Sequence, residues 1–174
     1  MKKWKGRIHV KVIITGDTHI PGRGHSLPKR LLDECRHADL IIHIGDWWGP
    51  EVHETLSTFA EVIGVYGNVD GADIRKILPA RQIVELVGLR IGLVHGHGEK
   101  KTTEQRAVEE FEEEQLDAII FGHSHIPVIK YFKGKLLMNP GSPTDKRKMP
   151  FYSFIVLEIG EEIRPELILF KDTL

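Results

Sequence analysis

The chain has 174 residues, a formal net charge of −1 and a single cysteine, Cys35. That length suits one domain with a substantial buried core, so residues 1–174 are read as a single domain. The near-neutral charge argues against stable binding to nucleic acid or an anionic membrane, the lone thiol excludes an internal disulfide and points to a reducing cytoplasm, and neither a membrane span nor a signal peptide is expected.

Ile8–Ile14 is β-branched and mostly apolar and ends at Thr15-Gly16, the pattern of a central strand. Asp17-Thr18-His19 follows, then a loop over 20–25 marked by Pro21, Gly22 and Gly24. A helix is expected from about Pro28, capped by Ser26, with Leu27, Leu31 and Leu32 on its buried side. Asp39–Ile44 reads as a second strand ending at Gly45-Asp46, Pro50–Phe59 as a helix, and Val62–Tyr66 as a third strand ending at Gly67-Asn68-Val69-Asp70. Gln82–Leu86 and Leu89–Val94 flank Val87-Gly88 as a hairpin whose second strand runs into His95-Gly96-His97-Gly98. Thr103–Glu114 is a charged helix with few apolar positions, expected on the surface. Ala118–Ile120 is a short buried strand leading into Phe121-Gly122-His123-Ser124-His125. Val128–Phe132 and Lys135–Met138 straddle Lys133-Gly134, a hairpin signal, and two strands near Tyr152–Leu157 and Arg164–Phe170 close the chain. Alternation of strand and helix in the first half and hairpins in the second predict an α/β fold with mixed sheets, helices outside, and a ligand site beyond the strand C-termini.

Five of these strand ends carry Asp17 with His19, Asp46, Asn68, His95 with His97, and His123 with His125. All are oxygen or imidazole donors, a set that suits Mn²⁺, Fe²⁺, Zn²⁺, Ni²⁺ or Mg²⁺. They are too many for one tetrahedral ion and enough for two ions sharing a carboxylate. Two metals roughly 3.5–4 Å apart clamp a phosphoryl group and generate hydroxide.

Asp17-Thr18-His19, Gly45-Asp46, Gly67-Asn68-Val69-Asp70, the histidine after Leu93-Val94, and Gly122-His123-Ser124-His125 resemble, in order, the five motifs of the calcineurin-like metallophosphoesterase superfamily. Asn139-Pro140-Gly141-Ser142 and the short chain are similar to its small bacterial and archaeal phosphodiesterases. The resemblance implies a four-layer α/β/β/α sandwich with two mixed β-sheets. It implies one metal held by Asp17, His19, Asp46 and His125, and a second held by Asp46, Asn68, His95 and His123, with Asp46 as the bridge. His95 is preferred to His97 as ligand because it lies nearer the strand end. His97 is left beside the metals or against substrate. The implied function is hydrolysis of a small phosphodiester or nucleotide-like substrate by a hydroxide bridging two divalent ions, Mn²⁺ before Ni²⁺, Fe²⁺, Zn²⁺ or Mg²⁺, with the Asn68 amide stabilising developing charge. A homo-oligomer is compatible with it.

One position departs from the pattern. Many of these enzymes carry histidine after the asparagine, to protonate the leaving oxygen; here that residue is Val69. His97 or His25 is then the candidate proton donor, and Asp70 is expected to orient groups around the metals, so the catalytic set is Asn68, Asp70 and His97. Gly16–Pro21 and Ser26-Leu27-Pro28 are also similar to the retromer-coat subunit of this superfamily, which sets a protein-binding scaffold, and a phosphomonoesterase or nucleotide hydrolase, beside the phosphodiesterase. Trp47 and Trp48 either wall a substrate pocket or pack beneath a loop. His9, His37, His43, His53 and Cys35 match no motif, and Lys146-Arg147-Lys148 reads as a solvated basic run.

Overall fold

A computed structural model describes residues 8–22 and 26–171. Ten strands among these residues form two five-stranded sheets. The first contains β1 (Val10–Thr15), β2 (Leu40–His43), β3 (Glu61–Gly64), β9 (Tyr152–Ile159) and β10 (Ile163–Phe170), in the order β10-β9-β1-β2-β3. The second contains β4 (Arg81–Leu86), β5 (Leu89–Val94), β6 (Ala118–Ile120), β7 (Val128–Phe132) and β8 (Lys135–Asn139), in the order β4-β5-β6-β8-β7. β1, β2 and β3 are parallel, as are β5, β6 and β8; the hairpins β4–β5, β7–β8 and β9–β10 are antiparallel. Among the described residues there are also four helices: α1 (Lys29–Cys35), α2 (Pro50–Ser57), α3 (Ala72–Ile77) and α4 (Thr103–Glu110).

The strand sequences dictate this layering because side chains alternate across a sheet. Val12 and Ile14 face the space between the sheets, where they join Ile42, Leu93, Ala118, Ile120 and Leu157 in the central core. Ile13, between them, faces outward and packs with Leu31, Cys35, Val52, Leu56 and Ile74 from the three helices over the first sheet. In β6 the same alternation sends Ala118 and Ile120 inward and Ile119 outward, against Ala107 and Phe111. Strands apolar on both faces are the signature of sheets covered on both sides. The result is the expected four-layer α/β/β/α sandwich.

Several boundaries differ from expectation for identifiable reasons. Ser26 does not cap α1: the N-cap is Pro28, with no side-chain cap. The third strand stops at Gly64, and the Tyr66 N–H leaves the sheet to reach the Pro79 carbonyl. α3 is a further element, six residues long and without a side-chain cap. The charged helix begins at the capping box of Thr102 and Gln105, ends at Glu110, and lies on the outside. It is not merely a solvated surface, because Ala107 and Phe111 at its inner edge are fully buried. A Cβ on Gly92 of β5 would sit 2.9 Å from the Phe111 ring, so the glycine makes room for it. The Met1–Arg7 segment and His25 lie outside the described residues. Among those described, no helix is long and apolar enough to cross a membrane.

Phe111→Ala empties this ring-sized volume beneath α4. Urea denaturation followed by circular dichroism is expected to show a loss of about 3–5 kcal/mol, the cost of truncating a fully buried phenylalanine; a loss below about 1 kcal/mol would mean that α4 is not anchored there.

Candidate metal centre

Because β1, β2 and β3 are parallel, and β5 and β6 run parallel in the facing sheet, loops from both sheets collect at one end of the sandwich. Backbone turns then aim their side chains together. Asp17, His19, Asp46, His123 and His125 all adopt left-handed conformations, with φ of 52°, 49°, 57°, 65° and 57°. Such residues cost of order 1–3 kcal/mol each and cluster at functional sites.

The side chains meet in two groups: Asp17, His19 and His125, and Asp46, His95 and His123, the potential ligand atoms of each lying within 4.8 Å of one another. Asp46 reaches both. Its Oδ2 is 3.6 Å from His19 Nε2, and its Oδ1 is 3.3 Å from His95 Nε2. Asp17 Oδ1 lies 3.4 Å from His125 Nε2 and 3.9 Å from His95 Nε2, and the Nε2 atoms of His19 and His125 face each other at 3.3 Å.

Ring orientation is set from behind. His95 Nδ1 donates to the Ile44 carbonyl at 2.6 Å, and His125 Nδ1 donates to the Asp145 carbonyl. A carbonyl only accepts, so each contact fixes the proton on Nδ1 and leaves Nε2 turned into the cluster, the arrangement found behind metal-bound histidines. Asp17 Oδ1 and His95 Nε2 are buried without a hydrogen-bond partner, as are His19 Nδ1 and His123 Nδ1. Leaving a buried polar group unsatisfied costs about 1–3 kcal/mol, so a concentration of them marks a place built for something else to fill.

The electrostatics follow from burial and proximity. Burial opposes charge on His95, but the carboxylates of Asp46 and Asp17 outweigh it and push its pKa up to about 9. Burial and the charge of His95 lower His123 to about 4. Asp46 is held well below the usual carboxylate range: burial resists its ionisation, but His95, the Val69 N–H and His19 overcome that resistance.

Asn68 occupies an exposed turn wrapped around Asp46. The Val69 N–H donates to Asp46 Oδ1 at 3.1 Å, and a Cβ on Gly67 would come within 2.1 Å of that same oxygen. Asp70, two residues on, is buried. Its carboxylate accepts the N–H groups of Gly67 at 2.7 Å, Asp46 at 3.0 Å and Trp48 at 2.8 Å, so one side chain ties two loops together. His97 is exposed beside the second group, its ring centre 5.6 Å from that of His95 and 6.4 Å from that of His123. The two tryptophans differ sharply in exposure. Trp47 is fully buried, stacked on His43 at 3.5 Å between ring centres, with its indole N–H on the Val65 carbonyl. Trp48 is 46% exposed beside His19.

Some residues of the centre have no signature in a motif of donors. Ser142 Oγ donates to the Asp17 carbonyl at 2.8 Å and Thr144 Oγ1 to the Thr18 carbonyl at 2.6 Å. Asn139 Nδ2 donates to the Gly122 carbonyl and to Ser124 Oγ, both at 3.0 Å. The segment after β8 thus buttresses the loops after β1 and β6. Beneath them, fully buried His43 meets the Thr18 hydroxyl at 3.1 Å. The available signal was a run of small polar residues after an apolar strand. Cys35 stands apart: burial raises its thiol to about 12, which keeps it protonated.

A model of the calcineurin-like phosphoesterase superfamily domain matches residues 10–162. A probable metallophosphoesterase of Methanocaldococcus jannaschii is 35% identical over 156 residues, which cover 89% of this chain and 79% of that protein. Among solved structures, wild-type Vps29 of Entamoeba histolytica complexed with zinc is 26% identical, with a TM-score of 0.72 over 91% of this chain and 98% of that one. A structure described as a novel archaeal phosphodiesterase shares the fold at 23% identity, with a TM-score of 0.72 over 92% of this chain and 99% of that one.

Asp70→Ala deprives three N–H groups of their acceptor. Chemical denaturation is expected to show a loss of about 2–4 kcal/mol, since hydrogen bonds to a buried charge contribute about 1.5–3 kcal/mol each and water can replace some of them. An unchanged midpoint would show that the loops hold without it.

Proposed function

This chain belongs to the calcineurin-like phosphoesterase superfamily, and on that footing we propose that it is a phosphodiesterase working with two divalent ions. The observation that carries the reading is the position of Asp46, one carboxylate with an oxygen toward each of the two ligand groups. The donor set fits such ions: nitrogen and oxygen only, with buried atoms of Asp17 and His95 otherwise unpartnered. Asp17, His19, Asp46 and His125 would hold one ion, and Asp46, Asn68, His95 and His123 the other. The zinc in the Vps29 relative supports a divalent ion at a site of this fold. Mn²⁺ is the ion proposed, as the family resemblance implies, and the carboxylate and amide oxygens suit it. When bound, two such ions polarise the phosphoryl oxygens and lower the pKa of water toward neutrality.

The rest of the work falls to this chain's own residues. The Asn68 amide, carried on the exposed turn, would offer its carbonyl oxygen to an ion and leave its NH₂ free to donate to an equatorial phosphoryl oxygen. Val69 offers no proton to the leaving oxygen. His97 is the candidate donor, but partial desolvation of its ring and the neighbouring charge of His95 lower its pKa and weaken its hold on a proton. A weak acid at that position suits esters whose leaving group departs without much protonation, such as aryl esters. A small single-domain phosphodiesterase in the cytoplasm is the resulting picture.

Asp46→Asn tests the bridge. Hydrolysis of bis(p-nitrophenyl) phosphate with Mn²⁺ is expected to fall at least about 100-fold while the circular dichroism spectrum is retained. A wild-type protein that binds two ions by calorimetry yet hydrolyses no ester across Mn²⁺, Ni²⁺ and Mg²⁺ would instead establish the scaffold reading that the Vps29 likeness suggests.

Ion binding should also depend on pH in a stated direction. With its pKa near 9, His95 is an imidazolium at pH 7 and must lose that proton to offer Nε2. Apparent affinity is therefore expected to rise from pH 7 towards pH 9, by up to about tenfold per unit, with release of about one proton on binding. Titration calorimetry in buffers of different ionisation enthalpy reads both; a pH-independent affinity would contradict it.

A further inference from the structure

Trp48 stands beside His19 with much of its side chain exposed, and its setting is that of a platform. Its backbone is left-handed, with φ of 81°. A bulky residue rarely adopts that conformation, and such strain concentrates at ligand clamps. The strain is held by the Asp70 carboxylate, which accepts the Trp48 N–H at 2.8 Å and the Asp46 N–H at 3.0 Å. The indole is therefore positioned by the same side chain that positions the bridging carboxylate. Gly22 lies flat against the ring: a Cβ there would stand 2.8 Å from three indole carbons. His19 meets the ring near edge-on, 6.3 Å between centres and 64° between planes. Still, 46% of the residue is exposed, whereas neighbouring Trp47 is buried and fully engaged. An indole supported by backbone at Gly22, adjacent to a candidate ligand and 46% exposed presents a flat, apolar surface beside the ligand groups.

We propose that Trp48 is a stacking platform for the non-leaving group of the substrate, so that this chain takes phosphodiesters whose retained alcohol carries a nucleobase or other flat ring. This rests on the phosphodiesterase reading above. In the reaction one water is consumed: its oxygen forms the new bond to phosphorus, the bond from phosphorus to the leaving oxygen breaks, and a proton is released. The retained ester stays on the indole throughout. Stacking on an exposed aromatic distinguishes flat groups from small alkyl groups and has little preference among bases.

The test varies only the retained group. Thymidine 5′-(p-nitrophenyl phosphate) and methyl p-nitrophenyl phosphate share one leaving group and differ in whether a ring is available to stack. The wild type is expected to favour the thymidine ester in kcat/KM by about 10–100-fold, the span that stacking of one base provides. Trp48→Leu should bring that ratio close to one, and Trp48→Phe should restore most of it. Tyr131→Ala, which removes an exposed aromatic from β7, should leave the ratio unchanged. A wild-type ratio near one, or an unchanged ratio in Trp48→Leu, overturns the proposal while leaving the phosphodiesterase reading intact. If neither ester is hydrolysed with any ion, that reading fails, and a binding measurement decides the platform separately. Thymidine 5′-monophosphate, added with Zn²⁺, should saturably quench the tryptophan fluorescence of the wild type and not that of Trp48→Phe. Absence of quenching in the wild type also overturns the proposal.

Discussion

The centre depends on left-handed turns placed directly after strands. An extended chain sends successive side chains to opposite faces, so a strand by itself cannot aim Asp17 and His19, or His123 and His125, at a shared point beyond its end. Turning the backbone to positive φ at these residues brings their donors together, at a conformational cost. That cost is met by contacts between loops. The Asp17 N–H donates to the Gly45 carbonyl at 2.9 Å, the His19 N–H to the Asp46 carbonyl at 3.0 Å, and the Gly122 N–H to the His95 carbonyl at 3.1 Å. Gly45, with φ of 87°, passes so close to Gly67 and His95 that a Cβ would lie 2.7 Å from one and 2.8 Å from the other. The loops therefore constrain one another, and none of them is free to relax to an ordinary turn by itself.

Asp70 and Ser142 extend this logic outward. Neither reaches the cluster, and both hold backbone that does. Asp70 achieves it locally, from within the turn that carries Asn68. Ser142 does so across 125 positions of chain, returning from the segment after β8 to the Asp17 carbonyl. The donors are thus oriented by a surrounding polar framework with few mobile parts, the arrangement in which preorganised groups are most effective.

This division also explains what could be read from the sequence. The strands were legible because runs such as Val12-Ile13-Ile14 are apolar on both faces, and the donors because they follow those runs directly. Proximity in sequence to a strand end is a local signal. Asp70 and the Asn139–Ser142 segment stood out in the sequence, but the partners of a hydroxyl such as that of Ser142 did not, because it acquires its role only when a distant loop arrives beside it. The anchoring role of Phe111 is hidden for a related reason: within a charged helix with few apolar positions it is one apolar residue among acids, and only the space above Gly92 makes it an anchor. α3 was missed because six residues carry too little periodicity to stand out. Trp47 and Trp48 are neighbours of identical type with opposite fates, one buried and one 46% exposed, and residue type alone does not distinguish them.

The two ligand groups draw on both sheets: Asp17, His19 and Asp46 follow β1 and β2, whereas His95, His123 and His125 follow β5 and β6. Elsewhere the sheets meet mainly through apolar side chains, which resist separation but tolerate sliding. Ions shared across that seam would act as rivets, limiting shear between the layers at this one end.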